Sequence, residues 1–294
     1  MGAADAVTAF VCSYYTLAGV SPQKGGGSPH PFEARVRACA EAGYAGMGAH
    51  LRDYRHLRQA GAADAELAGI LRANGVRCAE VEFLSNWFAS GEALLQSRRD
   101  EDDLYRAAHA LGAPLMFLTG TLDPDQDAPF DLMAERFAAV CERARARGLI
   151  VGVEPCAWSN IAEPDDALRL IEAAGAINAG LYLDVWHLFR RGYDYRRLAD
   201  LPAEMIVGVQ LDDAYAQVRG GGLVADCLDH RALPGKGAAR TADFVRALLK
   251  AGYAGPFSVE VISKAQRRRS ATCAAALSLR AAARTVARAQ TAEG

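Results

Sequence analysis

The chain has 294 residues, 51% of them apolar and 23% charged, with a formal net charge of −2. That apolar content excludes a disordered chain, and the near-neutral balance lacks the basic footprint of a non-specific nucleic-acid binder. No stretch reaches the roughly 18 uninterrupted apolar residues of a membrane span, so neither a nucleic-acid nor a membrane partner is expected.

In chain order, Met1 to Thr16 carries no Lys or Arg, so the positive region of a secretory signal is missing. Ala6 stands where an N-myristoylation motif needs Ser or Thr. The first apolar run starts at Val7 (VTAFVCS), and others follow at Tyr44 (YAGMGAHL), Val76 (VRCAEVEFL) and Pro114 (PLMFLTG). Four more start at Leu149 (LIVGVEP), Ala179 (AGLYLDVWH), Met205 (MIVGVQL) and Pro256 (PFSVEVI). Between them lie stretches with helical spacing, among them Phe32 to Glu41, Asp64 to Asn74, Leu132 to Arg147 and Pro164 to Ala174. Gly43, Gly75, Gly112, Gly148, Gly175 and Gly252 each sit just past a helical stretch and just before an apolar run, the αβ-loop signature. After Lys264 the chain is rich in Ala and Arg and forms the final helix.

Eight strand–helix repeats predict an α/β fold, a closed (β/α)8 TIM barrel, over residues 1–294 as a single domain. An open doubly wound sheet would need a glycine-rich phosphate turn after an early strand. Gly25-Gly26-Gly27 lacks the flanking elements for one. Seven cysteines without a CxxC pair predict no disulfide or zinc framework, and cytoplasm is the expected compartment.

Barrel function sits at the C-terminal ends of the strands. There the last four runs end in Glu154, Asp184, Gln210 and Glu260. Each polar residue closes an apolar run, so four successive strands bring three carboxylates and one amide to the barrel mouth. A lone Glu at a strand end is more often a salt-bridge partner than a ligand; four in succession are much less easily accidental. Three buried carboxylates need a compensating cation, and a divalent metal supplies it. An all-oxygen donor set suits Mn²⁺ best, with Mg²⁺ an alternative and Co²⁺ a further candidate.

The pieces V-G-V-E-P-x-x-W-S, L-D-V-W-H-x-x-R, V-Q-L-D-D, R-x-x-P-G-x-G and S-V-E-V resemble the sugar phosphate isomerase/epimerase family of xylose-isomerase-like TIM barrels. The likeness runs over most of the chain and is strongest from Leu149 to Ser263. It implies that Glu154, Asp184, Gln210 and Glu260 are metal ligands and that His187 touches substrate. Arg231, ahead of Pro234-Gly235, resembles the arginine that binds a substrate oxygen. Many epimerases of the family carry His where this chain has Gln210; the resemblance adds that Gln also occurs among dehydroshikimate-dehydratase-like members.

Chemistry follows from such a site. The ion polarises a substrate carbonyl and stabilises the enediolate left by loss of the α-proton. Glu154 and Glu260 flank the carbon, one taking the proton and the other able to return one, which makes an epimerase or isomerase of a keto-sugar or related cyclic polyol. Loss of a β-hydroxyl from the same enediolate makes a dehydratase of the 3-dehydroshikimate or inosose type, with His187 as proton donor.

Supporting residues each have a plain structural alternative. His187 lies three residues after Asp184 and faces the same mouth, unless it is a cap or surface group. Arg231 lies in the longest excursion at that face, where loops cover substrate. Asp212 and Asp213 orient Gln210 or a loop, or cap a helix. Glu80 and Glu82 share one face of the third strand, with Glu82 nearer the mouth and able to bind substrate hydroxyls or to pair inside the barrel. His50 ends the second strand with the same two choices. Trp87 and Trp158 wall the pocket or pack the core. Arg190, close to His187, can reach an anionic substrate, whereas Arg267-Arg268-Arg269 reads as a solvated helix face. The endonuclease-IV-like nucleases of the superfamily use a histidine-rich zinc cluster, and here only His187 of six histidines falls among the metal-face motifs. A non-catalytic barrel is the reading from a third class. The expected partner is a small polyhydroxy carbonyl compound, with a homo-oligomer compatible with the exposed helical ring.

Overall fold

A computed structural model describes residues 8–123 and 128–291. Val7 and the myristoylation position Ala6 lie outside the described residues. The eight expected strands are present: β1 (Phe10–Cys12), β2 (Gly46–His50), β3 (Arg77–Leu84), β4 (Leu115–Thr119), β5 (Ile150–Glu154), β6 (Ala179–Asp184), β7 (Ile206–Leu211) and β8 (Phe257–Val259). All neighbours pair in parallel, and β1 pairs with β8, closing a (β/α)8 TIM barrel. Because every strand is covered by helices outside and side chains inside, the strands read as near-continuous apolar runs rather than alternating ones.

Helices form where expected, over Phe32–Ala42, Asp64–Ala73, Phe130–Arg145 and Pro164–Ala174. Gly43 and Gly175 close two of them in the left-handed region, at φ 99° and 60°, where a Cβ would be strained. The Ala/Arg-rich end is not one helix but a short turn at Lys264–Arg267 followed by Ala271–Thr291. Six cysteines are buried and Cys273 is exposed, and none forms a disulfide. Among the described residues no helix is long and apolar enough to cross a membrane.

Below the mouth the barrel interior is built around Tyr182. Its ring stacks on Phe117 with centroids 4.3 Å apart. Its hydroxyl donates to Glu80 Oε2 at 2.5 Å, and Ser258 Oγ donates to Glu80 Oε1 at 2.7 Å. Glu80 is thus a satisfied acid of the barrel floor. Gly208 makes room for the ring, since a Cβ there would lie 2.2 Å from Tyr182 Cδ2. The ring is held by stacking on one side and by Glu80 at its tip, so it cannot give way. Gly208→Ala is expected to lower stability by about 1–3 kcal/mol, read as a lower urea midpoint; an unchanged midpoint would show that the ring moves freely.

Candidate active site

The strand register brings the four strand-end residues together. Thr119 pairs with Glu154, Asp184 with Gln210, and Gln210 with Ser258, leaving Glu260 two residues on as the chain leaves β8. Local bonds then fix each one. The Thr119 hydroxyl donates to the Glu154 carbonyl at 2.9 Å. Asp184 Oδ1 accepts the Trp186 amide at 2.7 Å and caps the helix Val185–Arg191. Glu260 Oε1 accepts from the Ser13 hydroxyl at 2.7 Å. Thr16 brackets the same residue, donating to the Val259 carbonyl and accepting the Val261 amide, both at 2.8 Å.

Arg231 reaches into this cluster. Its Nη1 lies 2.5 Å from Asp184 Oδ2, 2.6 Å from Asp212 Oδ2 and 3.1 Å from Glu260 Oε2. One guanidinium does not balance the acids around it. Burial first, then Asp184 and Glu260, push Glu154 well above the carboxylate range. Burial raises Glu260 to about 7, with Arg231 opposing. Asp212 is likewise pushed up, first by burial and then by Asp184.

Such crowding is the condition under which a divalent ion is favoured. Both side-chain polar atoms of Gln210, which is completely buried, lack a hydrogen-bond partner. An amide oxygen held without a donor, beside three carboxylates, fits a hard cation. Glu154, Asp184 and His187 also each offer one ligand atom within 4.8 Å of the others. The His187 Nδ1 accepts the Ala157 amide at 3.1 Å, so Nε2 is the nitrogen left facing Glu154 Oε1, 3.9 Å away. His187 therefore turns Nε2, the nitrogen that carries the ring hydrogen, into the site beside Glu154.

A cavity of about 280 Å³ opens over these groups. Glu154, Glu260, His187, Arg231, Glu82, His50 and Trp158 all line it, beside an apolar wall that includes Tyr15, Phe83, Phe117 and Ile262. Glu82 Oε1 is buried without a partner, and burial followed by Glu260 holds its carboxyl far up. The His50 Nδ1 accepts the Arg52 amide at 3.0 Å. Trp158 stands 5.4 Å from the His187 ring. Arg190 does not line the cavity: it turns to Asp226, with Nε at 2.8 Å, and ties the helix after β6 to the excursion after β7. Trp87 is core, packed on Phe88 and Phe137 with Nε1 donating to the Thr119 carbonyl. Asp213 accepts the Ala214 and Ala239 amides and shapes the loop rather than Gln210. Sequence reasoning passed over Ser13, although it closes an apolar run as Glu154 and Asp184 do. It also passed over Arg52 and Phe83 in the lining.

Burial lowers His50 to about 3 and His187 to about 4, so the fold excludes protons that the unfolded chain binds below about 6.5. Each histidine's contribution is complete above pH 6.5 and is lost as pH falls toward its folded value. The raised carboxylates act in the opposite sense, so the comparison must be with a variant. Between pH 7 and pH 5 the wild type is expected to lose about 2 kcal/mol relative to His50→Gln. Urea midpoints of both proteins at the two pH values check this, and a constant difference would contradict it.

Comparison with known proteins agrees with this architecture. Residues 36–283 match the family described as xylose isomerase-like TIM barrel. A 3-dehydroshikimate dehydratase of Pseudomonas aeruginosa is 34% identical over 158 residues, covering 52% of this chain and 24% of that protein. The match thus spans about a quarter of that curated relative. Among solved structures, a xylose isomerase-like TIM barrel/4-hydroxyphenylpyruvate dioxygenase fusion protein superposes with a TM-score of 0.82 at 20% identity, over 97% of this chain and 44% of that one. An L-ribulose 3-epimerase gives 0.75 at 16% identity, over 98% and 97%. At such identities these two show likeness of fold alone. The family match covers most of the chain and coincides with the closed barrel, so the protein belongs to the xylose isomerase-like TIM barrel family.

Proposed function

We propose that the protein is a divalent-ion-dependent dehydratase of a cyclic hydroxy-ketone of the 3-dehydroshikimate type. The observation that carries this reading is the convergence of Glu154, Asp184, Gln210 and Glu260 under a cavity walled by Phe83, Phe117 and Trp158. Flat apolar walls favour a ring that becomes planar over an open polyol. The identity with the Pseudomonas dehydratase and the glutamine at position 210 point the same way.

Glu154, Asp184, Gln210 and Glu260 would hold the ion, most simply Mn²⁺. When bound, the ion supplies Lewis-acid polarisation of the ketone and charge for its developing oxyanion. Glu260 is the base that takes the proton α to the ketone. Ser13 and Thr16 fix its position for that task. His187 accepts the Ala157 amide at Nδ1, so its neutral ring carries its hydrogen on Nε2. It serves as a hydrogen-bond donor to a substrate oxygen, and the proton gathered by Glu260 leaves with the β-hydroxyl as water. Glu82 and His50 face substrate hydroxyls from the β2–β3 side.

One observation favours a second reading. Glu154 and Glu260 enter from strands three positions apart, and both line the cavity. A proton removed on one side could return from the other, giving an isomerase or epimerase. The Mn²⁺-reconstituted protein should convert 3-dehydroshikimate to an aromatic product with loss of one water. Deuterium in recovered ketopentose or ketohexose from D₂O, without water loss, would select the second reading. Turnover of neither would contradict both readings.

A further inference from the structure

In two of the proposed ligands each carboxylate oxygen already faces a donor. Asp184 gives Oδ1 to the Trp186 amide and Oδ2 to Arg231. Glu260 gives Oε1 to the Ser13 hydroxyl and lies with Oε2 3.1 Å from the same guanidinium nitrogen. Backbone and Ser13 bonds belong to the fold, so the oxygens an ion would use are those Arg231 holds. A guanidinium and a divalent ion on the same two oxygens repel each other strongly in a buried site. Asp212 offers a way out. It is fully buried, holds Arg231 through Oδ2 at 2.6 Å, and has Oδ1 without any partner. A carboxylate with one free oxygen can take a guanidinium in a two-bond fork. Nε stays bonded to the Cys227 carbonyl, and Nη2, now 3.1 Å from Cys227 Sγ, is the second donor that turns to Oδ1.

Resting on the ion site proposed above, we infer that Arg231 and the divalent ion exchange on Asp184 and Glu260, with Asp212 as the positioning residue that takes up Arg231. The exchange frees two ligands and leaves the arginine on Asp212 rather than expelled to solvent. It also accounts for Asp212, a buried acid that neither lines the cavity nor caps a helix.

Titration of the chelator-treated full chain with Mn²⁺ alone, followed by calorimetry, tests this. Arg231→Met should bind about tenfold tighter than wild type, because no cation competes. Asp212→Asn should bind about tenfold weaker, because Arg231 has nowhere to go. The double variant should return to the tight affinity of Arg231→Met. A double variant as weak as Asp212→Asn would make Asp212 a ligand itself and overturn the exchange, as would Arg231→Met binding no tighter than wild type. A crystal structure of the Mn²⁺-loaded wild type needs no variant. Arg231 forked on Asp212 and out of hydrogen-bond reach of Asp184 and Glu260 is expected, and retention of all three contacts overturns the inference. No Mn²⁺ binding by the wild type would instead sink the ion site itself.

Discussion

Glu260→Gln is expected to lower kcat for the dehydration by about 10³-fold with little change in KM. The substitution keeps an oxygen donor and the side chain's shape, so the fold survives, while the lost charge weakens ion binding as it does at Asp184 and is offset by saturating Mn²⁺. With the ion restored, what an amide still cannot perform is acceptance of a carbon-bound proton. The Ser13 hydroxyl presents a hydrogen to Oε1 and the ion would take Oε2, so an amide must turn its NH₂ toward one of them. That mismatch adds to the loss. Steady-state kinetics at saturating Mn²⁺ measure it, and a kcat within tenfold of wild type would remove Glu260 from the role of base.

The second large effect is on the ion. Asp184→Asn should weaken Mn²⁺ binding by about 100-fold or more, with turnover recovering in part at high Mn²⁺. Asparagine can still accept the Trp186 amide through Oδ1, so the helix Val185–Arg191 keeps its cap. What goes is the charge that attracts the cation and the oxygen that would bind it, since Oδ2 becomes an NH₂. Calorimetry on the folded variant checks this, and wild-type affinity would place the ion elsewhere.

Much of the architecture is legible in the sequence because a parallel barrel writes itself as apolar runs separated by amphipathic helices and glycine stops. The strand-end rule likewise marks Glu154, Asp184, Gln210 and Glu260, since a polar residue closing a buried run has one place to go. Sequence distance fails where partners come from elsewhere in the fold. Arg190 sits three residues from His187, yet its direction is set by Asp226, 36 positions away. Trp87 and Trp158 both follow strands, but only the packing of Phe88 and Phe137 shows Trp87 to be core. Asp212 looks like half of an acidic pair, and its bond to Arg231 depends on how the excursion after β7 folds back. Ser13 needed only the rule already applied to the later strands.

The most direct test is to strip the wild type with a chelator and restore Mn²⁺ stepwise, measuring bound ion and dehydration in the same samples. Turnover should be absent at the start, rise in proportion to bound ion, and level off at about one ion per chain. Full turnover in the stripped protein, or turnover that does not follow the bound ion, would contradict the account.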